Sequence, residues 1–140
     1  MTRESHYDYV GKSIPVLDGP EKASGKIKYV GDINLPGMLH CKLLLSPIAH
    51  GKVLRIDLSE AEKVPGVFAI YTYENTPQKE YNRYLWYVGQ QAVQNERLLT
   101  NYVRHFGDRI AAVLAYDKKA AEQAVKSIKV EYEEFPAVTD

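Results

Sequence analysis

Apolar and polar positions change rhythm several times along the 140-residue chain, and each change predicts an element. Leu39, Cys41, Leu43 and Leu45 alternate with His40 and Lys42, the period of a half-buried strand with Cys41 on its apolar face; Ser46-Pro47 stops it. Val53 to Ile56 reads as a second strand. Ser59-Glu60-Ala61-Glu62 has the Ser-x-x-Glu spacing of a capping box, which predicts a short helix closed by Pro65-Gly66. Val67 to Tyr71 is compact, β-branched and aromatic, a buried strand. Ile110 to Ala115 is apolar at every position, the mark of a central strand covered on both faces. Asp117 is a good N-cap for a helix whose Ala120, Ala121, Ala124, Val125 and Ile128 fall on one stripe, with Lys118, Lys119, Glu122 and Lys126 off it. Ile128, Val130 and Tyr132 then alternate with Lys129, Glu131 and Glu133 as a half-exposed strand.

Two stretches lack this regularity. Residues 1–9 read as a flexible leader, followed by a cap signal at Asp18-Gly19-Pro20-Glu21: Asp18 is placed to cap, Pro20 suits a first turn, and Glu21 can reach back. Gly25 ends that helix after little more than one turn. Tyr73 to Asn101 is rich in Asn, Gln, Glu and Tyr and has no clean period; so long a stretch in a compact domain is often functional or covered by a partner. The elements add up to one α+β domain over residues 10–140, a mixed sheet packed with a few helices.

Charge narrows the function. Lys+Arg and Asp+Glu are both 18, so nothing favours nucleic acid, which calls for a basic surplus. No apolar run approaches the ~20 residues of a membrane helix, and Met1 to Tyr9 lacks the apolar core of a signal peptide, so a cytoplasmic protein is expected. Cys41 is the one cysteine, so the chain cannot supply the four thiolates of a [2Fe–2S] centre. With Leu39 and Leu43 as face-mates it reads as a buried structural thiol.

No catalytic, cofactor-binding or metal-binding constellation emerges. Gly11-Lys12-Ser13 imitates the end of a phosphate-binding loop, but His6 stands where that motif needs glycine. There is no Gly-x-Gly-x-x-Gly and no Gly-x-Ser-x-Gly. His6, His40, His50 and His105 form no metal-ligand spacing, and adjacent His40 and Cys41 point to opposite faces of one strand. Glu131, Glu133 and Glu134 are expected at an exposed edge, where charge discourages edge-to-edge pairing. What is unusual is 11 Tyr against 3 Phe and 1 Trp. Tyrosine has an apolar body and a polar tip, which suits surfaces buried by docking. Tyr73, Tyr81, Tyr84, Trp86, Tyr87 and Tyr102 gather in or beside the irregular stretch, and packing onto the domain's own sheet is the other reading of them.

The motifs without evident chemistry carry a resemblance. In order they are Val10-Gly11-Lys12-Ser13-Ile14-Pro15, Asp18-Gly19-Pro20-Glu21-Lys22-Ala23-Ser24-Gly25-Lys26-Ile27-Lys28-Tyr29, Leu35-Pro36-Gly37-Met38-Leu39, Ser46-Pro47-Ile48-Ala49-His50, Pro65-Gly66-Val67, Val103-Arg104-His105-Phe106-Gly107-Asp108, and Ile128 to Val138. In that spacing the chain, from Val10 to Asp140, resembles the a/b hammerhead domain of the xanthine dehydrogenase and aldehyde oxidase family. One departure is that many relatives continue Gly107 with Gln-Pro, where this chain has Asp108-Arg109; Arg109 is then a candidate to pair with a partner carboxylate or with the neighbourhood of Asp108.

The resemblance implies an assembly. In the family a molybdopterin-bound molybdenum centre hydroxylates purines, aldehydes or related heterocycles with oxygen from water, a glutamate acts as base, and electrons leave through [2Fe–2S] clusters and usually FAD. The cofactor loops and the glutamate lie further along the large subunit. This chain is therefore expected to bind no cofactor itself, to be inactive alone, and to act as a structural and docking domain whose partners are the remainder of the molybdenum-binding subunit and the iron–sulfur and flavin subunits or domains. A stand-alone binding or assembly module with the same fold is the alternative, and a reading frame continuing for several hundred residues past position 140 discriminates against it.

Overall fold

The computed structural model describes residues 7–82 and 93–138. The chain divides into two compact units, residues 1–36 and 37–140. In the first, helix α1 (Gly19–Ala23) is one turn long with Pro20 in its first turn. The Asp18 side chain makes no cap hydrogen bond; Lys22 draws it aside in an i,i+4 ion pair of 2.6 Å. Gly25 reverses the chain at φ +69°, a conformation that favours glycine, and Lys26 N–H closes the helix end on Glu21 O. A 3-10 turn (Val30–Asp32) follows, fixed by Tyr29 N–H donating to the Asp32 carboxylate at 3.0 Å.

The second unit holds six strands and one longer helix: β1 (His40–Leu45), β2 (Gly51–Asp57), β3 (Val67–Thr72), β4 (Tyr102–Val103), β5 (Arg109–Ala115), α2 (Lys118–Ser127) and β6 (Lys129–Glu134). The α+β class holds, and the expected sheet is two three-stranded sheets, ordered β1-β5-β3 and β4-β2-β6. Every pairing between these strands is antiparallel.

The sequence places β5, α2 and β6 where they are found. Asp117 caps α2, its Oδ1 accepting from Ala120 N–H at 2.9 Å, and Ala120, Ala121 and Ala124 are buried. Small residues let α2 lie close on the sheet. They join Ala61, Val64, Ala111, Val113, Ala115 and Ile128 in the main core. Val53, Val103 and Ile110 form a second core under the β4-β2-β6 sheet, and Leu44, Ile56 and Val130 pack against both. At Gly51 a Cβ would lie 2.3 Å from Glu133 O and 2.6 Å from Ile48 Cδ1, so only glycine lets β2 begin this close to β6.

Three expectations are corrected. Cys41, Leu43 and Leu45 are exposed, because α2 covers the opposite face of β1, the one carrying Leu44. Residues 59–63 turn without forming a helix: the Asp57 carboxylate accepts Ser59 N–H at 3.0 Å, two residues ahead of the anticipated cap, and Pro65-Gly66 soon redirects the chain. These Ser59 contacts hold the Asp57 carboxyl below the usual carboxylate range. β3 is an edge strand, with Phe68 and Tyr71 exposed.

Candidate docking surface

β5 is apolar on both sides, but α2 covers only one. Cross-strand register puts Leu43, Ala112 and Tyr71 in one row and Cys41, Leu114 and Ala69 in the next. These rows face away from α2, whose side takes Ala111, Val113 and Ala115. Leu43 remains 39% exposed, Leu45 49% and Tyr71 37%, while Ala112 and Leu114 are half-buried. β5 is thus central as expected, yet closed on one face only. Over part of the open face lies a shallow apolar groove of about 400 Å³, with Leu43, Tyr71, Pro77, Leu98, Leu99 and Ala112 among its lining residues.

Arg109 stands at this groove and is already engaged. Its Nη2 donates to Tyr81 Oη at 2.8 Å and to Arg97 O at 3.0 Å, and lies 3.7 Å from the Glu96 carboxylate. Tyr81 and Glu96 exchange backbone hydrogen bonds of 2.9 and 3.1 Å, and Arg97 pairs with Glu80 at 3.0 Å. Arg109 therefore braces the two flanks of the irregular stretch. The turn beside it is held by Asp108, whose carboxylate accepts Arg104 N–H at 2.7 Å and His105 N–H at 3.3 Å, while Gly107 supplies φ +89°.

The other sequence candidates are dispersed. Tyr73 packs half-buried on the second core, and burial, then the nearby Glu74 carboxylate, push its phenol up. Tyr102 donates its hydroxyl to His50 Nε2 at 2.9 Å, because Nδ1 faces Pro136 O at 2.9 Å and so carries the ring proton. The Arg104 guanidinium lies 5.1 Å from the Tyr102 ring centroid. Tyr84, Trp86 and Tyr87 lie outside the described residues. Leu43, Tyr71, Leu98 and Ala112 had not been singled out; the unbroken apolar run of β5 was the signal that both of its faces need cover.

Among the described residues no three His, Cys, Asp or Glu side chains are grouped to hold a metal ion, and no helix is long and apolar enough to cross a membrane. The arrangement offers a surface to another protein segment and no reactive centre.

Comparison with known proteins agrees with this architecture. Residues 24–136 match the family described as aldehyde oxidase and xanthine dehydrogenase, a/b hammerhead domain. The chain is 35% identical over 127 residues to the xanthine dehydrogenase molybdenum-binding subunit of Escherichia coli O157:H7, covering 88% of this chain and 17% of that protein. It is 38% identical over 117 residues to the carbon monoxide dehydrogenase large chain of Hydrogenophaga pseudoflava, covering 83% and 14%. Among solved structures, quinoline 2-oxidoreductase from Pseudomonas putida 86 superposes with a TM-score of 0.77 at 32% identity, over 92% of this chain and 17% of that one. The chain thus spans only 14% to 17% of the length of these relatives. It belongs to the aldehyde oxidase and xanthine dehydrogenase family, as an a/b hammerhead domain.

Proposed function

We propose that this chain is a structural and docking domain of the molybdenum-binding subunit of a xanthine dehydrogenase-like hydroxylase acting on purines, related heterocycles or aldehydes. The observation that carries the reading is the 35% identity over 88% of the chain to 17% of a xanthine dehydrogenase molybdenum-binding subunit. The apolar face left open on the β1-β5-β3 sheet supports a docking role. Tyr81 and Arg109 act in this reading as a brace that holds the irregular stretch in place for contact, with Tyr73 and Tyr102 anchoring its two ends.

The described residues do not fit the family's cofactors: they hold no metal-ligating cluster, and a single cysteine cannot supply an iron–sulfur centre. Molybdopterin-bound molybdenum, [2Fe–2S] and FAD belong, on this reading, to other parts of the assembly, and the domain contributes scaffold.

The test is to purify the protein encoded by the whole reading frame and assay it with purines, N-heterocycles and aldehydes in isotopically labelled water. Bound molybdenum together with label in the oxidised product is expected from the whole protein, and neither from residues 1–140 alone. A whole protein without molybdenum or hydroxylation would overturn the reading.

A further inference from the structure

We propose that the open face of the β1-β5-β3 sheet, centred on Leu43, Tyr71 and Ala112, is the seat of the remaining part of the same molybdenum-binding subunit. The inference rests on the function proposed above and adds the surface through which the domain docks.

Three observations carry it. First, β5 is apolar at every position from Ile110 to Ala115, a pattern for two covered faces, and only the α2 side is covered. A face meant for water would alternate, as β6 does with Lys129, Glu131 and Glu133 turned out.

Second, the groove suits an uncharged occupant. Its one charged lining group, Arg109, is tied to Tyr81, Arg97 O and Glu96. An anionic ligand would have to displace those partners, whereas an apolar protein segment needs only the exposed Leu43, Leu98 and Tyr71 side chains. Tyrosine is the kind of large, rigid side chain that anchors such contacts.

Third, the occupant has a source. The chain covers 17% of the molybdenum-binding subunit it matches, leaving more than four-fifths of that protein's length without a counterpart here. Contacts between domains of one chain bury roughly 600–1,500 Å², which a three-stranded sheet face can provide.

Cys41 is the natural reporter. It lies in the row next to Leu43 and is exposed. In the complete subunit, alkylation by iodoacetamide is followed by mass spectrometry of the Cys41 peptide, in buffer and in urea. Protection of at least tenfold in the native subunit is expected, independent of protein concentration. Reaction at the unfolded rate would overturn the proposal. Protection lost on dilution would also overturn it, since the cover would then be a second copy.

A variant, Leu43→Arg in the complete subunit, should lose the Cys41 protection and most of its bound molybdenum, while Leu43→Met keeps both. Wild-type subunit lacking molybdenum and hydroxylation defeats the functional reading. Wild-type subunit that is loaded and active but freely alkylated at Cys41 defeats the docking face alone.

Discussion

The two sheets have three strands each and the same antiparallel pairing, yet they meet their surroundings in opposite ways. In the β4-β2-β6 sheet the register sets Lys52 opposite Glu133, Arg55 opposite Glu131 and Asp57 opposite Lys129. Three pairs of opposite sign thus line one face, while Val53, Val130 and Tyr132 turn to the second core. That sheet is finished against water by its own residues. In the β1-β5-β3 sheet the corresponding rows are Cys41, Leu114, Ala69 and Leu43, Ala112, Tyr71, with no charge among them. The lesson is that an uncovered apolar face is informative when a sibling sheet in the same chain shows what a solvent face looks like.

The largest effect that would break the comparison is energetic. Ile110 is fully buried, so Ile110→Ala is expected to cost about 2–5 kcal/mol in urea unfolding of the chain. Leu43→Ser, on the open face, should cost no more than about 1 kcal/mol. Equal costs would show Leu43 to be core and remove the distinction between covered and open faces.

Next comes the seam of the water-facing sheet. Gly51→Ala puts a methyl group against the Glu133 carbonyl and Ile48, and the backbone can yield only by opening the β2–β6 pairing. Overpacking of this kind costs roughly 1–3 kcal/mol. Amide exchange should quicken along β6 and leave β1 and β3 unchanged; uniform quickening would mean that the two sheets unfold as one unit.

What could be read from sequence was what short-range periodicity encodes. β5, α2 with its Asp117 cap, and β6 depend on neighbours two to four residues away, and they stand where the pattern puts them. The facing of β1 was not readable that way, because leucines fall on both of its sides. The choice is made by α2 from over seventy residues downstream, with Lys42 reaching the helix border 3.7 Å from Glu122. The candidate site was legible only as a composition. Tyr81 finds Arg109 across 28 positions and Tyr102 finds His50 across 52, separations that no local rule spans. The family was legible because turn and cap residues such as Asp18-Gly19-Pro20 and Pro65-Gly66 recur in fixed order, whatever their chemistry.

The helix that closes the first sheet gives a smaller effect. Asp117→Ala removes the acceptor for Ala120 N–H and is expected to cost about 1 kcal/mol. Asp117→Asn or Asp117→Ser should recover most of it, measured by thermal unfolding. If all three substitutions cost the same, the side chain acts through something other than its cap.

The smallest effect probes the claim that the second sheet is finished by charge. Lys52 and Glu133 face each other across β2 and β6 and both are exposed, so their pairing is worth only about 0.2–1 kcal/mol. Glu133→Lys places like charges opposite each other, and Lys52→Glu does the same with the other sign. Each single reversal should destabilise the chain slightly at low salt, and the double reversal should restore it. The loss should fade as ionic strength rises, because screening shortens the reach of exposed charges to about 10 Å at 0.1 M salt. An effect that persists at 1 M salt would point to packing by the long side-chain stems instead. A double reversal no better than the singles would mean that the opposite-sign register of β2 and β6 does not stabilise the sheet, and that water alone completes this face.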